Sequence, residues 1–363
     1  MESKNSFIAT VSKHKKQIDS EIKRFFSEKK KDKNLSYLIK KYCDVLERFV
    51  LNGGKRLRPM ALICAYKGFG GRKNILREAL SVELFHNSTL VEDDIMDEDE
   101  LRRNKPTVYK TFKDEYLRNN KEKRYRGSLF NRESSRDAVS KAILMGNILF
   151  SFGEECITNS NFKSEAVREC QKIYNEAFIV VNDGQLLDIE LVTKDDASEE
   201  DYIEMAEKKS AYLVKASVEI GAVLAGASKK QREALAKCAM NITLAFQIRD
   251  DFMDINPESK KGHDLGSDIK AGKRTLLVIK ALELGDRKER RRILKVLGKA
   301  NSGRKEMKKA IDALHTSGAV GYCKKLAERK VKQGKNWLKK AGLKKDYERF
   351  FLELADFVIQ RNI

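Results

Sequence analysis

Proline is nearly missing from this chain. Only Pro59, Pro106 and Pro257 occur in 363 residues. Proline breaks helices, so its scarcity leaves long stretches free to be helical. Runs that alternate apolar and polar residues are also absent, which argues against a sheet protein. The six cysteines, Cys43, Cys64, Cys156, Cys170, Cys238 and Cys323, are scattered with no C-x-x-C pair. That pattern excludes a zinc ribbon and a disulfide framework. No stretch approaches the roughly 20 apolar residues needed to span a bilayer. The first residues, MESKNSFIAT, lack the apolar core of a secretion signal. The expectation is therefore a cytoplasmic protein. Nucleic acid is not expected as a partner, because no binding signature with stacking aromatics stands out.

What is present is charge and helical periodicity. Charged residues make up 35% of the chain and the net charge is +20. Such a balance suits nucleic acid, an anionic membrane surface or polyanionic small substrates. It equally suits solvated helix faces, since clusters such as Arg287, Lys288, Arg290, Arg291 and Arg292 are interleaved with acids and apolar residues. Residues 1–34 are polar and end in a lysine run, which reads as an N-terminal extension, a loosely held helix or a loop. From Leu35, apolar residues recur at steps of three and four up to Val50, and Asn52-Gly53-Gly54 closes that helix. Residues 60–100 read as two helices parted by Gly68 to Gly71. Residues 111–138 read as a basic, partly mobile connection with weak periodicity. Helical text resumes near Asp137, continues to 193, and recurs at about 199–227, 229–255, 272–284, 287–299 and 303–314. Two or three more helices follow. The fold class expected is all-α: one domain, 35–363, forming a single helical bundle.

Two clusters of identical spacing carry the chemistry. Asp93, Asp94 and Asp97 form one D-D-x-x-D, and Asp250, Asp251 and Asp254 form the other. On a helix these positions fall within an arc of roughly 100°. Three like charges on one face destabilise a bare helix. A hard divalent cation such as Mg²⁺ resolves the conflict and needs few protein carboxylates when substrate phosphates fill other positions. The repeat suggests two central helices facing one cavity. Cations flank both clusters. Gly53-Gly54-Lys55-Arg56-Leu57-Arg58-Pro59 joins a tight turn to three basic residues, in composition a polyanion site or an ordinary loop. Arg102 and Arg103 follow the first cluster closely enough either to pair with its acids or to take phosphate oxygens. His86 lies seven residues before Asp93 and so shares its face. Gln247 lies one turn before Asp250 and Asp251. Gln185, Asp188, Lys209, Ser210, Asp268 and Lys273 are individually weak signals.

In order, GGKRLRP, DDIMD with RR and a proline, GQLLD, KS, FQIRDDFMD and GSDIKAGKRT make a specific series. From about residue 35 to the end, the chain resembles the trans-isoprenyl diphosphate synthases, or polyprenyl synthetases. The resemblance implies an all-α homodimer, with long, mostly antiparallel helices around a deep central cavity, that condenses isopentenyl diphosphate with C5 to C15 allylic diphosphates, using two or three Mg²⁺ ions per site. It implies that Asp93, Asp97 and Asp250 bind metal, that Asp94 supports the first motif, and that Asp251 and Asp254 complete the second. With Lys209, the residues Asp93, Asp94, Asp97, Asp250 and Asp251 form the expected catalytic set. Arg102, Lys209, Ser210, Gln247 and Lys273 match positions that hold the allylic diphosphate. Lys55, Arg58, His86 and Arg103 match positions that hold isopentenyl diphosphate.

In this family, bulky residues four and five positions before the first aspartate stop growth early. Here Thr89 and Ser88 are small, and Phe85, about one turn deeper, becomes the expected floor. At ~1.5 Å per residue the shift from 88 to 85 adds about one isoprene unit. That favours geranylgeranyl diphosphate (C20), with a farnesyl or a C25 or longer product as alternatives. The chain departs from the pattern at Asn104, where glycine is usual, at Asn147, where aspartate is common, and at Glu92, where several relatives have histidine. His263 stands where a lysine is common, with Lys260 and Lys261 near. A class I terpene cyclase would carry a different second motif and needs no isopentenyl site. A non-catalytic partner subunit would lose one aspartate motif. The basic segment 111–138 suits either a cover over the site's mouth or peripheral contact with an anionic membrane.

Overall fold

A computed structural model of the chain describes residues 2–256 and 265–360. In order, the helices are α1 (Glu2–Lys31), α2 (Tyr37–Leu51), α3 (Leu57–Gly68), α4 (Leu76–Met96), α5 (Val108–Asn119), α6 (Glu133–Thr158), α7 (Ser164–Thr193), α8 (Glu199–Ala206), α9 (Tyr212–Leu224) and α10 (Lys229–Ile255). They continue with α11 (Ser267–Lys270), α12 (Leu276–Leu284), α13 (Arg287–Leu294), α14 (Arg304–Thr316), α15 (Ala319–Ala341) and α16 (Lys345–Gln360). A π-helical turn, Glu207–Ala211, joins α8 to α9. Among the described residues the only sheet is a two-stranded hairpin, β1 (Leu101–Arg102) with β2 (Lys105–Pro106). The fold is all-α. The chain divides into two compact units, one of Ile8–Ile63 and Arg72–Gln171, the other of Met1–Phe7, Cys64–Gly71 and Lys172–Ile363.

In the first of these units α4 is the central rod, buried along most of its length from Glu78 to Asp94. It runs antiparallel to α6. Phe85 meets Phe150 edge-on at 5.6 Å between ring centres. One turn further on, a β-carbon at Gly146 would lie 3.5 Å from Glu92 and 3.6 Å from the Ser88 carbonyl. Helix α1 corrects the expectation of a loosely held segment. Its residues Ile18, Ile22, Phe25 and Phe26 are fully buried, and Phe25 packs edge-on against Phe152 of α6. These positions, i, i+4, i+7 and i+8, form one apolar stripe. The charged residues between them, Asp19, Glu21, Lys23 and Arg24, made the segment read as polar. Likewise 108–119 is helix, anchored by buried Val108, Tyr109 and Phe112, so only 120–132 is a connection. The single helical stretch expected over 137–193 is two helices, broken at Asn159, which caps α6.

In the other unit α10 is central. It begins with a capping box between Ser228 and Gln231 and packs on α9 and α15. The closest approach of α15 is at Gly334, where a β-carbon would come within 2.9 Å of Ile242 and 3.3 Å of the Cys238 carbonyl. Both α4 and α10 end at an aspartate cluster, which sets up the site.

Candidate active site

The first cluster occupies the C-terminal end of α4. Asp93 and Asp94 lie in the last turn and Asp97 is the C-cap, its N–H donating to the Asp93 carbonyl at 2.9 Å. The second cluster occupies the last turn and a half of α10. A helix C-terminus is the negative pole of the macrodipole, so six carboxylates sit where anions are least favoured. Both clusters therefore call for cations.

Within the first cluster, Asp94 is 1% exposed. Arg102 donates its Nε to Asp94 Oδ1 at 2.6 Å and reaches Asp93 Oδ2 at 3.2 Å. Asp94 Oδ2 is buried with no hydrogen-bond partner. Burial pushes the Asp94 carboxyl up to about 7, against the pull of Arg102. Asp97 is exposed. Arg102 and Arg103 are positioned by the hairpin. Arg103 and Asn104 form its two-residue turn, with φ of 52° and 60°. Both central residues of such a turn need left-handed backbone, and asparagine tolerates it best after glycine. Asn104 is thus a workable substitute for the glycine expected there.

The glycine loop wraps around Arg103. Arg103 donates to the Asn52 carbonyl at 2.7 Å, and the Asn52 side chain returns a bond to the Arg102 carbonyl at 2.9 Å. Gly53 and Gly54 have φ of 73° and 78°, and a β-carbon at Gly53 would come 2.8 Å from Arg103 Cδ. Conformation and space both demand glycine here. Arg58 lies deep enough that desolvation pulls its guanidinium down to about 10; Glu83 opposes this, and the cation remains charged at neutral pH. Its Nε is buried without a partner. His86 is held well below its ordinary value, first by burial and then by Arg58, Arg103, Arg102 and Arg56. It is therefore a neutral hydrogen-bonding group. Lys55 is exposed beside this group. The structure thus brings Lys55, Arg58, His86 and Arg103 into one basic neighbourhood within a single unit.

Sequence reasoning missed what holds that neighbourhood in shape. Arg56 adopts φ 55° and its side chain is 1% exposed. It is clamped by Asp19 of α1 at 2.8 Å and Glu83 of α4 at 2.5 Å. A lone glutamate inside the apolar text of α4 was the available signal for Glu83. Asp19 carried none. Removing one partner of a buried ion pair leaves the other uncompensated. Asp19→Asn is therefore expected to raise several-fold the KM of any substrate that Lys55 and Arg58 bind, with kcat and the KM of a substrate bound elsewhere little changed. Steady-state kinetics with each substrate varied in turn will check this.

In the other unit, Asp251 is buried and both its oxygens are engaged, by Tyr202 Oη at 2.7 Å and Gln247 Nε2 at 3.1 Å. Ser210 Oγ donates to Gln247 Oε1 at 2.9 Å, so Ser210, Gln247, Asp251 and Tyr202 form one chain. Burial raises the Asp251 carboxyl to about 7. Asp254 accepts from Ser267 Oγ at 2.6 Å and the Asp268 N–H at 3.1 Å, which ties down the segment leading to Lys273. Lys273 reaches Asp268 at 3.8 Å. Lys209 pairs with Asp188 at 2.6 Å. Lys209 and Ser210 ride on the π-helical turn, a feature that redirects side chains at functional sites. That turn lies against Gly184, where a β-carbon would come within 2.7 Å of Lys208 C and Lys209 Cα. From sequence, Gly184 stood out only as the first residue of GQLLD, with no role, and Tyr202 not at all. His263, Lys260 and Lys261 lie outside the described residues.

The donors at Asp93, Asp97 and Asp250 fit magnesium: hard carboxylate oxygens at negative helix ends, the first two beside a buried, unpartnered oxygen of Asp94. Among the described residues no three such ligands converge on one point.

Comparison with known proteins agrees with this chemistry. Residues 39–314 match the family model for polyprenyl synthetase. A geranylgeranyl diphosphate synthase of Methanosarcina mazei is 33% identical over 313 residues, 85% of this chain and 86% of that protein. A geranylfarnesyl diphosphate synthase of Aeropyrum pernix is 29% identical, covering 85% of this chain and 91% of that one. The crystal structure of a geranylgeranyl pyrophosphate synthetase from Pyrococcus horikoshii superimposes with a TM-score of 0.81 at 29% identity, over 99% of both chains.

Proposed function

The chain belongs to the polyprenyl synthetase family and is a trans-prenyltransferase, and on that premise we propose that it makes geranylgeranyl diphosphate. The reaction joins isopentenyl diphosphate to an allylic diphosphate. The observation that carries this reading is a pair of carboxylate clusters at the negative ends of α4 and α10, each set among fixed cations.

In this reading each cluster binds magnesium and, with it, substrate diphosphate. Asp93, Asp97 and Asp250 hold the magnesium ions, which when bound neutralise the charge of the departing diphosphate. Asp94 fixes Arg102 beside Asp93. Asp251 fixes Gln247, and through it Ser210. Arg102, Lys209, Ser210, Gln247 and Lys273 bind and orient the allylic diphosphate. The allylic C–O bond breaks, and the electron pair leaves with the diphosphate. Lys55, Arg58, Arg103 and neutral His86 hold isopentenyl diphosphate so that its double bond attacks the allylic carbon and a new C–C bond forms. The proton then lost from the adjacent carbon goes to the departed diphosphate, so no protein base is required. Preorganised cations on the leaving group supply most of the rate enhancement, and exclusion of water protects the cation.

Phe85 sets product length in this proposal. Its ring is fully buried against Phe150, while Ser88 and Thr89 turn their hydroxyls onto the carbonyls of Phe85 and His86. Phe85→Ala is expected to lengthen the main product by one or more isoprene units. Thin-layer or mass analysis of the products will check this, and an unchanged distribution would refute Phe85 as the floor. The cavity left would also destabilise the fold by about 3–5 kcal/mol. Phe85→Leu is the milder companion.

Self-association as a homodimer belongs to the same proposal. Ile179, Leu186 and Ile189 of α7 are 70%, 63% and 48% exposed on one helical face, an apolar stripe suited to a partner copy. No described helix is long and apolar enough to cross a membrane.

The decisive experiment incubates purified protein with Mg²⁺, labelled isopentenyl diphosphate and C5, C10 or C15 primers. Elongation that stops at C20 is the expected result. No elongation with any primer would sink the proposal.

A further inference from the structure

The basic connection between α5 and α6 is an ordered hairpin, and its chemistry is not used by the reaction. Tyr125 N–H donates to the Asn131 carbonyl at 2.9 Å, and Glu133 N–H to the Lys123 carbonyl at 3.1 Å. Arg124 and Arg132 pair across it as an antiparallel bridge. Tyr125 anchors the inside of the loop, with the Arg136 guanidinium 4.8 Å from its ring centre and Gly127 against its edge. Residues 120–132 hold five cations, Lys121, Lys123, Arg124, Arg126 and Arg132, and one acid, Glu122. Glu122 is turned inward, accepting from the Ser134 N–H and Oγ. The five cations are exposed, and among the described residues none of them makes an ion pair. Surface cations are matched in places, as Lys110 is to Asp114 at 2.8 Å and Lys208 to Asp183 at 2.7 Å; the hairpin is set apart by gathering five exposed cations around an exposed apolar tip. At the tip, Leu129 is 82% exposed, the most exposed large apolar side chain among the described residues.

We propose that the 120–132 hairpin is a docking surface for an anionic lipid bilayer, with Leu129 entering the headgroup boundary and the five cations meeting lipid phosphates. Unpaired cations around a protruding apolar tip match the two components of peripheral membrane binding, charge attraction and shallow apolar insertion. A nucleic acid would instead need exposed aromatic faces for stacking; of the hairpin's two rings, Tyr125 is covered by Arg136 and Phe130 is half-buried. The proposal stands apart from the reaction assigned above, since it rests on the hairpin alone.

The test is co-sedimentation of the full chain with vesicles of phosphatidylcholine alone, or of phosphatidylcholine mixed with phosphatidylglycerol. Binding is expected only to the anionic vesicles and should weaken as salt is added. Each basic residue near an anionic surface contributes about fivefold in affinity, so Lys123→Ala/Arg124→Ala/Arg126→Ala should bind on the order of 100-fold more weakly. Leu129→Ser should bind several-fold more weakly. Both variants should retain wild-type condensation rates on short soluble substrates, which also reports that they fold. Failure of the wild type to sediment with anionic vesicles would overturn the proposal. So would wild-type binding by the triple variant. An oligonucleotide that displaces the vesicles, with Leu129→Ser binding like wild type, would overturn it in favour of nucleic acid.

Discussion

Replacing Asp93 with alanine is expected to lower kcat by about a thousandfold, the scale seen when one preorganised electrostatic partner of a transition state is removed. Asp93 is half-buried at the negative end of α4, where Arg102 approaches its Oδ2 at 3.2 Å. Its loss removes a carboxylate of the proposed metal set and leaves Arg102 fixed, because Asp94 still binds the guanidinium at 2.6 Å. The defect should therefore appear in kcat rather than in folding or in KM for isopentenyl diphosphate. Asp94→Asn makes the contrast. It weakens the hold on Arg102 without touching the proposed metal set, so a smaller loss, about tenfold, is expected. Steady-state rates at saturating Mg²⁺, with helicity measured alongside, separate the two. Activity of Asp93→Ala within tenfold of wild type would remove Asp93 from the metal site.

Gly184→Ala is expected to cost about a hundredfold in kcat/KM for the allylic substrate, the effect of misplacing reacting groups by roughly 1 Å. The added methyl would meet backbone, Lys208 C and Lys209 Cα at 2.7 Å, and backbone in a helical turn cannot swing aside as a side chain would. The π-helical turn must shift, straining the 2.6 Å Lys209–Asp188 pair and the 2.9 Å Ser210–Gln247 bond together. The residues proposed to hold isopentenyl diphosphate lie elsewhere in the chain, so its KM should stay near wild type. That selectivity distinguishes a displaced turn from general unfolding, and wild-type kinetics would mean that the turn tolerates the shift.

The all-α class and the extent of most helices were legible from sequence. Periodicity and end signals are local, as in α10, where Ser228, the apolar steps and the closing aspartates mark an element of Lys229–Ile255. Errors arose where burial is decided by partners distant in sequence. The charged residues of α1 obscured a stripe that becomes visible only when Phe25 meets Phe152. Helix α5 seemed too weakly periodic until Phe112 found Tyr42, 4.8 Å away.

The same division runs through the site. Asp93, Asp94, Asp97 and their counterparts near residue 250, with the basic motifs around them, were readable because like charges at helical spacing demand a cation wherever they fold. Their residue types and spacing called for a cation and a polyanionic partner, and the order of the motifs carried the resemblance that implied the reaction class. Tertiary structure decided how Asp94 and Asp251 differ from their neighbours. Both are buried and bound to framework donors, Arg102 in one case and Tyr202 with Gln247 in the other. It also decided that Asp19 and Glu83 clamp Arg56, and that Gly184 makes room for the turn carrying Lys209. Spacing along a helix is a property of the chain itself. Desolvation, ion pairing and steric clearance depend on which distant segments arrive beside it, and only the folded chain brings those segments together.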